Sequence, residues 1–270
     1  MGVIHNIQAV ERALDLLKDD PLGGSEICRR VLSLKQVSWE MADRLARTML
    51  GGDPRFSRLP DGKWTVTTGY GEKSEPLELE RTTFVVVDVE TTGFSPPADR
   101  VIEIGMVRVA ECRVVDSYET LINPRRPISG RITSLTGISC DMLAGRPTFG
   151  QVCDEIVRFL GDAVFVAHNV SFDWRFVQSE IALARGGKLL NRKLCTRRLA
   201  SRLLPEIERR SLDEIALFFN LSFPARHRAL GDALVTAEIL LRFIERACER
   251  GITTLPALFD SIKPLKSRKT

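Results

Sequence analysis

The sequence has no long hydrophobic run. No stretch approaches the ~20 apolar residues of a membrane-spanning helix, so no membrane partner is expected. The first ten residues hold no basic region followed by an apolar run, so no secretory signal is expected and a cytoplasmic location is. The six cysteines (Cys28, Cys112, Cys140, Cys153, Cys195 and Cys248) are scattered. None falls in a Cys-x-x-Cys pair, so neither a zinc site nor a redox motif is expected, but buried thiols in a reducing compartment are. A strong excess of one charge is also missing, since the net charge is only +4. Its distribution says more. Residues 1–80 hold 11 Lys/Arg against 13 Asp/Glu, and residues 81–270 hold 28 against 22. The basic excess lies in the second part, where a polyanion partner would fit.

The 270 residues allow one large domain or two unequal ones. Helical spacing links Ile7, Val10, Leu14 and Leu17, then Ile27, Val31 and Leu34, then Met41, Leu45 and Met49. Gly23-Gly24 separates the first two segments, and Ser38 is an N-cap for the third. Arg55–Leu59, the turn Pro60-Asp61-Gly62 and Lys63–Thr67 read as a β-hairpin. Three helices and a hairpin over residues 1–67 give a winged-helix-like domain or a small helical interaction module. The net acidity argues against strong DNA binding by it. Residues 68–81 read as a polar linker, residues 82–252 as the main domain, and residues 253–270 as a C-terminal helix and basic tail.

The main domain opens with Phe84-Val85-Val86-Val87-Asp88-Val89-Glu90-Thr91-Thr92-Gly93, a buried strand ending in two acids and a glycine. Alternation places Phe84, Val86, Asp88 and Glu90 on one face, the two acids roughly 7 Å apart. Held together and partly buried they repel, and a positive group is expected between them. Taken alone, such a pair reads more readily as two solvated acids at an exposed strand end. Strands follow over 100–110 and 113–122 as an antiparallel hairpin, then helices near 130–135 and over 149–160, and a buried strand over 163–167. That strand runs into His168-Asn169-Val170-Ser171-Phe172-Asp173, where Ser171 is the expected N-cap and Asp173 falls in the first turn of the next helix. In open α/β sheets ligands bind beyond such strand ends. An acid there also serves simply as a partner of the helix dipole.

A short strand at Leu194-Cys195-Thr196 precedes the densest basic stretch, Arg192 to Arg210, which reads as a solvated helix face or as a phosphate contact. A helix capped by Ser211 comes next. Arg226-His227-Arg228-Ala229-Leu230-Gly231-Asp232 then opens a long helix whose stripe Leu230, Leu234, Ala237, Leu241, Ile244 and Cys248 is expected to be buried, with Asp232 off it. His227 and Asp232 would lie about 140° apart on a continuous helix, so for both to serve one site His227 must sit on the preceding loop. Asp88, Glu90, Asp173 and Asp232 thus fall at element ends. All-oxygen ligands suit Mg²⁺ or Mn²⁺. Two such ions would form a clamp for phosphoryl displacement, with His227 as general base.

Asp88-Val89-Glu90-Thr91-Thr92-Gly93, His168-Asn169 with Phe172-Asp173, and His227-Arg228-Ala229-x-x-Asp232-Ala233 together resemble the three motifs of the DEDD exonuclease superfamily, in its histidine subgroup. The resemblance covers residues 82–250, and its wording is nearest to the epsilon-like proofreading domains of bacterial DNA polymerase III. It implies an α/β fold, a ribonuclease H-like mixed sheet flanked by helices. It implies that Asp88, Glu90, Asp173 and Asp232 ligate two metal ions, that His227 activates water, and that nucleoside 5′-monophosphates leave a 3′ end. Backbone groups at Thr91 and Thr92 would hold the terminal nucleotide, with Phe94 near its base and Gly137 and Ile138 beside its pocket; His168, Asn169 and Phe172 come from the second motif. DNA is the expected substrate, with short RNA as the alternative. The other alternative is a scaffold role in which residues 1–80 dock a polymerase or repair protein.

Overall fold

The computed structural model describes residues 7–17, 20–34, 36–53, 55–67 and 77–262. Most of the expected linker and the end of the basic tail lie outside these residues. The chain divides into two compact units, Met1–Glu75 and Pro76–Thr270.

The first unit holds α1 (Ile7–Leu17), α2 (Gly24–Val31), α3 (Trp39–Leu50) and the hairpin β1 (Phe56–Arg58) and β2 (Trp64–Val66). Leu22, before α2, joins the hairpin through two backbone bonds with Trp64 of 2.9 and 2.8 Å. Val10, Leu17, Ile27, Val31, Leu50, Phe56 and Trp64 form its core. The expected third helix is present, but its deepest residues are Ala42, Ala46 and Leu50; of the expected Met41, Leu45 and Met49, Met49 packs partly on the core and Met41 is exposed. The cause is the close approach of α2. A Cβ on Gly24 would stand 2.9 Å from the Ala42 carbonyl oxygen, so only small side chains fit the crossing.

The second unit is a mixed sheet of β3 (Phe84–Thr91), β4 (Val101–Ala110), β5 (Arg113–Leu121), β6 (Val164–Ala167) and β7 (Lys193–Cys195) in the order β5-β4-β3-β6-β7. β3, β4 and β5 are antiparallel neighbours, whereas β6 and β7 run parallel to β3. The remaining helices are α4 (Gly130–Thr136), α5 (Cys140–Ala144), α6 (Phe149–Leu160), α7 (Val170–Arg185), α8 (Thr196–Leu203), α9 (Leu212–Phe218), α10 (Ala229–Glu249) and α11 (Leu255–Ser261). Alternation along β3 sorts the layers. Phe84 and Val86 pack with α8 to α11, while Val85, Val87 and Val89 pack with α6 and α7. Asp88 and Glu90 therefore belong to the α10 side.

Several expectations shift. α7 begins two residues earlier than Ser171 implied, with its N-cap Asn169 in the left-handed region at φ 75°, a conformation that Asn tolerates. α10 is buried over more than one stripe. Ala233, Thr236, Leu240, Phe243 and Ala247 lie deepest, Leu230, Leu234 and Leu241 only partly, and Asp232 is itself buried. A helix covering the middle of a sheet and flanked by α8 and α9 has little free surface. Residues at the expected linker end fold with this unit. Leu79 is buried, its N–H donating to the Thr253 carbonyl at 2.8 Å, and α11 packs Leu255 and Leu258 onto the same core. All six cysteines are free, but Cys112 and Cys140 are exposed, against expectation. No helix among the described residues is long and apolar enough to cross a membrane.

Candidate active site

The site forms where β3 stops being apolar. Asp88 pairs in register with Gly105 of β4, and Glu90 with Glu103. A Cβ on Gly105 would stand 2.3 Å from backbone atoms of Ala229 and Leu230, so this glycine lets the first turn of α10 settle beside Asp88. That turn carries Asp232. His227 lies on the loop before it, at φ 58°, as the 140° argument required. One ligand atom each from Glu90, His227 and Asp232 lie within 4.8 Å of one another. Asp173, in the first turn of α7, closes the group from the other side. Its Oδ1 accepts a 3.2 Å bond from the Val89 N–H, which locks α7 to β3 between the two strand acids.

Burial raises the proton affinity of all four carboxylates, and neighbouring acids add to it at Asp88 and Glu90. Burial drives Asp88 well above the usual carboxylate range, with Asp173, Glu90 and Asp232 adding to it. Burial, then Asp232, Glu103 and Asp173, push Glu90 up to about 8. Burial lifts Asp173 to about 7 against the opposing backbone N–H bonds. Asp232 is raised by burial, with Arg226 and His227 pulling the other way.

A positive group is expected between Asp88 and Glu90; the nearby one, Arg226, bonds Asp232 instead and acts on the strand acids only through its charge. Its Nη1 donates to Asp232 Oδ2, and its Nε and Nη2 donate to the two oxygens of Asp213 at 2.7 and 2.9 Å. Its guanidinium stands over Phe223. Sequence reasoning also missed Glu103, fully buried opposite Glu90. Glu103 takes 3.0 and 2.5 Å bonds from Arg228 and a 2.8 Å bond from the Ala229 N–H, and so fixes the start of α10. The signal was present: an acid inside Val101-Ile102-Glu103-Ile104, on the face shared with Glu90.

The expected nucleotide-contacting residues separate into two groups. Phe94 is 65% exposed, its ring centroid 6.4 Å from that of half-buried Phe172. The Thr91 hydroxyl donates to the Gly93 carbonyl at 2.6 Å. The Thr92 N–H donates to the Arg100 carbonyl at 2.9 Å, so that group is already used inside the turn. Gly137 ends α4 at φ 72°, and Ile138 is buried. His168 is held at both ring nitrogens. Nε2 lies 3.1 Å from the Arg210 carbonyl, which can only accept, so Nδ1 accepts from the Thr196 hydroxyl at 3.0 Å. Burial pushes this imidazole down to about 4, so it is neutral at pH 7 and joins β6 to α8.

The donor set fits a divalent cation. Asp232 Oδ1 is buried without a hydrogen-bond partner, and a Glu90 oxygen and a His227 ring nitrogen gather with the Asp232 carboxylate within 4.8 Å. Asp88, Glu90, Asp173 and Asp232 would hold the ion or ions.

The comparisons agree with this geometry. A family model described as Exonuclease (RNase_T) matches residues 85–240. The chain is 42% identical over 177 residues to a PolC-type DNA polymerase III of Thermotoga petrophila, covering 66% of this chain but 13% of that protein. It is 40% identical to the DNA polymerase III epsilon subunit of Aquifex aeolicus, over 64% of this chain and 89% of the subunit. Among solved structures, exonuclease X in complex with 5′ overhanging duplex DNA matches at TM-score 0.53 and 28% identity, over 67% of this chain and 99% of that one. The nuclease domain of 3'hExo, a DEDDh family member bound to rAMP, shares the fold at TM-score 0.54 and 20% identity, over 64% of this chain and 96% of that one. The sheet is the ribonuclease H-like one of these exonucleases. With acids at the end of β3 and in the first turns of α7 and α10, and with the family model spanning most of the second unit, the chain belongs to the DEDD exonuclease family.

Proposed function

We propose that the chain is a metal-dependent 3′→5′ exonuclease of the histidine subgroup, acting on DNA in repair or proofreading in the cytoplasm. The convergence of Glu90, His227 and Asp232 within 4.8 Å carries this reading. Mg²⁺ or Mn²⁺ ions held by Asp88, Glu90, Asp173 and Asp232 would supply the positive charge that activates the water and stabilises the leaving oxygen. His227 accepts the water's proton as the new oxygen–phosphorus bond forms, and the 3′-oxygen of the preceding nucleotide departs. Phe94 and Phe172 stack on the terminal base. Arg226 neutralises Asp232 before loading. The names of the polymerase relatives and the DNA-bound neighbour support DNA over RNA.

The test uses 5′-labelled single-stranded DNA and matched RNA with Mg²⁺ or Mn²⁺, an EDTA control, and His227→Ala alongside. A metal-dependent ladder shortening from the 3′ end, lost in the variant, is expected. No cleavage of either substrate would overturn the reading.

A second role belongs to the first unit. Trp39 is 71% exposed at the start of α3, near Met41, on a unit whose sequence is net acidic. This favours docking of a polymerase or repair protein over reading of DNA. Deleting residues 1–75 (not 1–80, since Leu79 is core) should leave oligonucleotide turnover intact and abolish co-purification of that partner.

A further inference from the structure

We propose that the arginine-lined cleft beside the acid cluster is a track for the sugar–phosphate backbone of a single strand, so that the substrate is a polynucleotide of several nucleotides and not a dinucleotide. This rests on the exonuclease reading and specifies its substrate class. Two cavities of about 400 and 470 Å³ share Asn169, Arg197 and Arg210. One reaches Asp88 and Asp232 and adds Arg209. The other leads away and adds Arg198, Ser171 and Ser201.

The expected basic helix face is cut short. α8 ends at Leu203, and the chain returns so that Arg209 and Arg210 meet Arg197. The bond from His168 to the Arg210 carbonyl holds that return. Elsewhere in this unit, Arg100, Arg226, Arg228 and Arg246 each hold a carboxylate. Arg197, Arg198, Arg209 and Arg210 have none among the described residues, and the Nε of Arg210 is buried without an acceptor. Unpaired guanidinium groups gathered in a cleft call for an anion, and their fork geometry matches phosphate oxygens. No Phe, Tyr or Trp lines either cavity, so bases have no stacking platform there. Contact is therefore with phosphates and is sequence-tolerant. Exposed Phe94 and half-buried Phe172 line neither cavity, which separates base contact from backbone contact.

The experiment compares 12-nucleotide and 3-nucleotide single strands, DNA and RNA, with the p-nitrophenyl ester of thymidine 5′-monophosphate, which reads the catalytic centre alone. For the wild type, log kcat/KM on the 12-mer should fall with log salt at a slope of about −2 to −3, from roughly 0.7 per neutralised phosphate. Arg197→Gln/Arg198→Gln should flatten the slope by about 1.4, and should raise KM for the 12-mer about tenfold (two phosphate contacts), equally for DNA and RNA. Ester hydrolysis should change less than twofold. Lysines at the same positions should keep most of the slope, and Arg158→Gln, on α6 outside both cavities, should match the wild type. An unchanged slope and KM in the double variant would overturn the track. Anisotropy of a labelled 12-mer in EDTA reads binding without turnover. Strand binding that needs Arg197 and Arg198, with no cleavage of any substrate, would keep the track and sink the exonuclease reading.

Discussion

Two sets of acids lie side by side, Glu103 in register with Glu90 and Glu180 two turns along α7 from Asp173, and the fold treats them in opposite ways. Glu103 and Glu180 are fully partnered. Glu103 takes Arg228 and the Ala229 N–H, while Glu180 takes Arg100 at 2.8 and 2.6 Å and the Val101 N–H at 3.1 Å. Asp88, Glu90, Asp173 and Asp232 share one arginine and are pushed toward protonation. A buried charge that holds structure is satisfied locally. A charge left unsatisfied at a strand end waits for a ligand.

The largest effect that sharpens this contrast is on turnover. Asp88→Asn or Asp173→Asn should lower turnover by at least about a thousandfold, roughly 4 kcal/mol of barrier. Thermal melting in EDTA should show stability unchanged or raised, because removing one charge from a like-charged set relieves repulsion. Glu103→Gln should do the reverse to the fold. It leaves Arg228 only its 3.6 Å contact with Glu119 and should cost about 1–3 kcal/mol in denaturant unfolding. Gly105→Ala puts a Cβ against the backbone of α10 and should cost about 1–3 kcal/mol, with loss of turnover as Asp232 is displaced. The same glycine in an inert position would cost a few tenths.

Smaller effects separate the two sets further. Arg226→Gln should lower the melting temperature in EDTA and tighten Mn²⁺ binding several-fold, since the charge competing for Asp232 is gone. Looser Mn²⁺ binding, by calorimetry, would contradict that role. The pH dependence of the metal-free protein follows from the sign of the Glu90 shift. Its folded value of about 8 lies above the ordinary glutamate value of 4.5, so the folded state binds more protons between them. Stability in EDTA should therefore decline as pH rises through that window. A rise across it in EDTA melts would contradict the shift.

Much of the frame was legible because its signals are local. The β-branched run from Phe84 to Val89, the Ser211 cap and the Phe149–Leu160 periodicity each announce an element. The site was legible for the same reason, since three short motifs end at strand or helix termini. What stayed hidden depends on packing between distant segments. Ala42 and Ala46 face inward only because α2 crosses closely, and Glu103 meets Arg228 across 125 residues. Arg226 was anticipated as a charge but not as a residue, because its position beside Asp232 depends on how the loop before α10 turns back. The return of Arg210 toward Arg197 depends on His168, whose two hydrogen bonds no spacing rule reveals.

The most direct test of the acid cluster as a divalent-cation site is a Mn²⁺ titration followed by thermal melting of the wild type, Asp88→Asn and Glu90→Gln. The account predicts a saturable rise in melting temperature for the wild type that is largely lost in both variants. Equal rises in all three proteins, or none in the wild type, would contradict it.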